Sequence, residues 1–183
     1  MTFAFKTPGM FSLASCAALV ATSAFGCIAT SPVDFPEFEN FPPSLISQPG
    51  AQYPTREIGQ LNLDSPDASL ELPLQVNVRD PNIDQTLEFR IFVDSPTPPG
   101  NDFPIDAGFV DPTGEVSRPR TFTVSYDELT PAGVCHKIEL VVSGAFVPGF
   151  IEPRRPVEEG DVDDLTWWIR VTDADNPIAG ECQ

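Results

Sequence analysis

Basic residues are scarce in this sequence: 10 Lys and Arg stand against 27 Asp and Glu, a formal net charge of −17. A chain of that charge repels phosphate backbones, which excludes nucleic acid as a partner. It also argues against docking on anionic lipid through side chains. There is one histidine, His136, and there are four cysteines; with the thiols consumed as argued below, the three or four protein ligands of a zinc centre are absent. No glycine-rich phosphate loop and no nucleotide motif occurs. Nucleophilic hydrolysis needs a base beside a nucleophile, and His136 directly follows Cys135 in a strand pattern, where it reads as a structural histidine. Helical periodicity is missing throughout. These absences leave a non-enzymatic, all-β chain as the expectation.

What is present begins with an address. Met1 to Gly26 carries one charge, Lys6, and no acid, and from Met10 it reads MFSLASCAALVATSAFG. A charged start followed by an apolar run is the pattern of a signal peptide. The run is short for a membrane-spanning helix, which needs ~20 apolar residues. It ends in SAFGC, with small residues directly before Cys27. This stretch resembles the lipobox of bacterial lipoproteins. The resemblance implies cleavage after residue 26 and lipid on the Cys27 sulfur, although Ala24 stands where Leu is usual and Phe25 is bulky. Ordinary secretion, with cleavage after Ala24 or Ala29, is the competing reading. Three acyl chains at ~0.8 kcal/mol per buried methylene would hold the protein in a membrane permanently. The implied place is the outer surface of a bacterial membrane, with the lipid anchor and an envelope protein or extracellular ligand as partners.

Cysteine usage agrees with export. Cys16 lies inside the signal peptide and Cys27 takes lipid, which leaves Cys135 and Cys182. An even pair in a non-cytosolic chain predicts one disulfide. Residues 27–67 follow, with Pro at 32, 36, 42, 43, 49 and 54. Proline at this density favours extended chain, so 27–67 reads as a tether, with Glu57 to Leu63 as a possible first strand. The domain is expected over 68–183.

From Leu70 the pattern has period two. Leu70, Leu72, Leu74, Val76 and Val78 alternate with polar residues, and Leu87, Phe89, Ile91 and Val93 repeat the alternation. Further strands are predicted around Phe122–Tyr126, Ile138–Val142 and Leu165–Val171. Between the first two of these, SYDELTPAG allows one helical turn at most. Short one-sided strands with one cysteine pair predict an antiparallel β-sandwich. The segments VNVRDPNIDQTLEFRIFVD, CHKIELVVS and WWIRVTD resemble immunoglobulin-like domains of bacterial surface lipoproteins. That resemblance implies a fold and an address and supplies no catalytic residues.

Three features point toward function. Residues 95–120 and 144–164 are long loops, and loops of that length are often functional. DPNID places Asp80, Asn82 and Asp84 at alternate positions, and TDADNP places Asp173, Asp175 and Asn176 after the last strand. Alternating oxygen donors suit calcium, and Asp, Asn and Pro equally suit a plain turn. A calcium-stabilised adhesion domain is therefore the alternative to a plain binding module. Finally, Phe92, Val141 and Trp168 fall on the outward phase of their strands. They mark either a partner surface or a face covered by the tether or a long loop.

Overall fold

The computed structural model describes residues 40–65, 70–94, 103–149, 151–177 and 181–182. The expected signal peptide and Cys27 lie outside them. Eight strands are present: β1 Ser44–Ser47, β2 Ile58–Asn62, β3 Glu71–Arg79, β4 Leu87–Val93, β5 Asp106–Val110, β6 Ser117–Ser125, β7 Cys135–Ser143 and β8 Val162–Thr172. Among the described residues one 3₁₀ turn, Tyr126–Glu128, follows β6. The described residues contain no α-helix.

The strands form two sheets, ordered β1-β3-β6 and β2-β8-β7-β4-β5. All neighbours are antiparallel except β2 and β8, which run parallel. This is an immunoglobulin-like β-sandwich. Alternation explains the core. Leu72, Leu74, Val76 and Val78 of β3 face Leu87 and Ile91 of β4, Ile138, Leu140 and Val142 of β7, and Trp167, Ile169 and Val171 of β8, all fully or almost fully buried. Fully burying one such side chain contributes about 1.5–3 kcal/mol. Leu70 is different from its pattern-mates. It precedes the strand and is 83% exposed.

The stretch expected to be tether is shorter than the prolines suggest. The described domain starts at Asn40, and residues 40–65 contribute two strands to it. Leu45 and Tyr53 are buried in the core. The Trp167 indole N–H donates to the Tyr53 carbonyl at 2.9 Å. Gly59 is required here, because a Cβ would stand 2.6 Å from Ile169 and 2.9 Å from the Tyr53 ring. Pairing and core contacts outweigh proline's poor strand propensity once the prolines fall outside the four paired residues of β1.

Candidate functional site

The outer face of the five-stranded sheet carries the outward residues singled out by the sequence. Strands β4, β7 and β8 do share one sheet. Phe92 and Val141, however, are 0% and 3% exposed. They are covered by residues 144–149 and 151–161, which fold back over the sheet as a strap. Its two arms pair, with the Val147 N–H donating to Arg155 O and the Val157 N–H to Ala145 O, each at 2.9 Å. Phe146 and Val162 pack on Phe92 and Val141. Two guanidiniums lock strap to sheet in opposite directions. Arg90 of the sheet lies 4.4 Å below the centre of the Phe146 ring, and Arg154 of the strap lies 3.9 Å above the centre of the Phe92 ring. Arg90 also donates to the Pro153 carbonyl at 2.6 Å, and Arg154 to Glu139 at 3.0 Å. Each stacking contact contributes about 1–2 kcal/mol when desolvated. Phe92 and Val141 are thus a buried contact of this loop rather than partner surface.

Trp168 stays outside the strap. Register places Ile58 on one side of it and Lys137 on the other. Ile58 is exposed and Trp168 is half-buried. The next row along the sheet holds Gln60, Arg170 and Cys135. An indole flanked by an aliphatic side chain and two cations thus stays half-exposed outside the strap.

The DPNID turn sits at one end of the sandwich. Asp80 is fully buried, and its cation is the equally buried Arg118 guanidinium, at 2.9 Å. The other Asp80 oxygen accepts the Asn82 N–H at 2.8 Å. Arg118 further donates to Gln85 O at 2.7 Å and Asn82 O at 3.0 Å. Asp84 is exposed to solvent. The carboxylate expected to ligate calcium is therefore committed to a guanidinium. Among the described residues, no three His, Cys, Asp or Glu side chains come together as a metal centre. Asn82 donates to Asn40 at 2.6 Å, and Asn40 donates to Glu158 at 2.9 Å. The network reaches the strap at Asp161, whose carboxylate accepts the Gly144 N–H at 3.0 Å. A side chain at Gly144 would collide with Asp161 and Gln85.

Burial pushes the Asp161 carboxyl above its ordinary range, opposed by Asn40 and the Gly144 N–H and reinforced by Glu158 and Asp80. Burial also pushes Asp80 up, against the Asn82 N–H and Arg118. For Asp161 the raised folded pKa means that protonation stabilises the fold, a contribution lost as pH rises through the folded value. Melting temperature is therefore expected to rise on mild acidification from neutral toward the ordinary aspartate range near ~4. Asp161→Asn should raise the melting temperature at neutral pH and flatten the gain. A variant that melts lower at neutral pH with the same acid gain would show that Asp161 is not its source.

At the opposite end, His136 is 1% exposed. Its Nδ1 lies 2.5 Å from the Asp94 carboxylate and its Nε2 3.0 Å from the Pro131 carbonyl. Both nitrogens are occupied, as expected of a structural histidine. Asp94 also accepts the Lys137 N–H at 2.8 Å. Cys135 and Cys182 are bridged, with Cα atoms 5.2 Å apart. Asp173 accepts the Asn176 N–H at 2.6 Å, which is turn chemistry.

The fold and face together define an immunoglobulin-like sandwich with one sheet half strapped and half open. No protein-family model matches the sequence, and no curated protein matches it. Among solved structures, one chain of the complex of zinc 2-glycoprotein with prolactin inducible protein from human seminal plasma is similar at a TM-score of 0.40 and 8% identity, over 75% of this chain and 99% of that one. A likeness that loose carries neither a relationship nor a ligand to this chain.

Proposed function

We propose that this protein is a lipid-anchored, non-enzymatic binding module of a bacterial cell envelope, held on the outer surface of a membrane through Cys27. The observation that carries the binding role is the open row Ile58, Trp168 and Lys137 beside a strap that closes the rest of the same face. A half-buried indole on a rigid sheet is a low-entropy anchor for a partner. The Cys135–Cys182 bridge supports an oxidising compartment. The commitment of His136 to Asp94 and Pro131 supports a role without catalysis. The calcium-stabilised adhesion reading gains nothing from a DPNID turn filled by Arg118.

Two substitutions test the two halves of this reading. Cys27→Ser should abolish lipid labelling and release the chain into soluble fractions. Retention of that variant in the membrane overturns the anchor, and a wild type secreted without lipid establishes the secreted alternative. Trp168→Ala in the anchored chain should lose the cross-linked envelope partner of the wild type, with stability changed by no more than about 1–2 kcal/mol for a half-exposed position. Equal cross-linking by both chains overturns the assigned surface.

A further inference from the structure

Four large apolar side chains are exposed around the polar end of the sandwich. Phe41 is 47% exposed, Ile83 37%, Val116 42% and Val157 59%. Each belongs to the rim of the buried network. Phe41 follows Asn40, Ile83 follows Asn82, and Val157 precedes Glu158. The Val116 carbonyl accepts the Asp80 N–H at 2.8 Å. Isolated exposed apolar residues are ordinary on any surface, but these four share the end at which the described chain begins, and the question is what occupies it. The course of the chain says which. Asn40, the first described residue, is fixed at this end by Asn82 and Glu158. Cys27 lies thirteen residues before it, a span of at most ~45 Å even fully extended.

Resting on the anchor proposed above, we infer that this end faces the membrane and that Phe41, Ile83, Val116 and Val157 seat in the headgroup layer of a zwitterionic bilayer. Tethering keeps the end near the bilayer at high effective concentration, so shallow contacts suffice. Apolar side chains at such a boundary bury ~5–10 Å deep. The lipid must be zwitterionic, because Asp84, Glu115, Glu158 and Glu159 are exposed at the same end and repel an anionic surface. Strand β3 then spans nine residues from the far end to this one, about 30 Å. Leu70, the Cys135–Cys182 bridge and the Trp168 end of the other sheet then face the medium.

The test uses the full-length lipidated protein in vesicles of phosphatidylcholine and phosphatidylethanolamine whose acyl chains carry bromine near the headgroup. Emission added by Ile83→Trp or Phe41→Trp should be quenched about twofold or more, as for an indole in the boundary layer. Emission added by Leu70→Trp, at the far end, should be unaffected. Adding phosphatidylglycerol should weaken the quenching. Equal quenching at Ile83 and Leu70, or none at Ile83 and Phe41 in a chain that floats with the vesicles, overturns the docking and leaves the anchor standing. Stronger quenching with phosphatidylglycerol overturns the zwitterionic assignment. Failure of the anchor itself reads out separately, as wild-type chain that does not float with the vesicles or as Cys27→Ser chain that does.

Discussion

Arg118→Met is expected to lower stability by about 3–5 kcal/mol, a fall in melting temperature of roughly 10–15 °C. Arg118 and Asp80 are both 0% exposed. Two charges withdrawn from water are costly, and their attraction repays the cost only while both are present. Removing the guanidinium leaves a buried carboxylate with the Asn82 N–H as its remaining donor. It also frees the carbonyls of Asn82 and Gln85, which Arg118 holds at 3.0 and 2.7 Å. The turn from β3 to β4 is thus organised from β6 by one side chain. Adding Asp80→Asn to Arg118→Met should restore part of the loss, because the stranded charge goes with it. Urea unfolding of the two single variants and the double variant measures this. A loss below about 1 kcal/mol for Arg118→Met, the range of exposed pairs, would mean the pair is solvated and the turn holds itself.

Phase along the strands made much of this fold legible. Alternation alone placed the inward faces of β3, β4, β7 and β8, because each packs one side on a common core. The same rule carried an unused signal. Arg118 shares its phase with Phe122 and Val124, and Asp80 shares its phase with Val76 and Val78. Two opposite charges on inward phases of neighbouring strands announce a buried pair, yet DPNID reads locally as ligand spacing or turn. Strand β1 was hidden for another reason. Its four residues are flanked by Pro42, Pro43 and Pro49, and its identity comes from pairing with β3 and burial of Leu45. Strand β5 has one core residue, Val110, too little for a pattern. The strap depends on contacts between residues far apart in sequence, Arg90 with Phe146 and Arg154 with Phe92. Outward Phe92 signalled that something covers or binds the face, and only packing distinguishes the two. The open end at Trp168 follows from where that strap stops.

Removing the bridge should have the second large effect. Cys135→Ala with Cys182→Ala is expected to lower stability by ~4 kcal/mol, as chain entropy gives for a loop of this size. The bridge joins residues 47 apart in sequence. Cys135 opens β7 and pairs with Arg170 near the end of β8, so the bridge joins Cys182, beyond the last strand, to the start of β7. In the folded state the β7–β8 ladder already holds the two strands together. The main effect of the bridge is therefore on the unfolded chain, which it keeps compact. The double variant should accordingly show a larger denaturant dependence of unfolding as well as a lower midpoint, because its unfolded state exposes more surface. Reduction of the wild type should reproduce both changes. A chain whose midpoint and slope ignore reduction, with both thiols labelled under native conditions, would mean the cysteines are not joined in the mature protein. The expected loss is a sizeable part of the 5–15 kcal/mol typical of a native domain. Chain kept under reducing conditions should then be the less stable form.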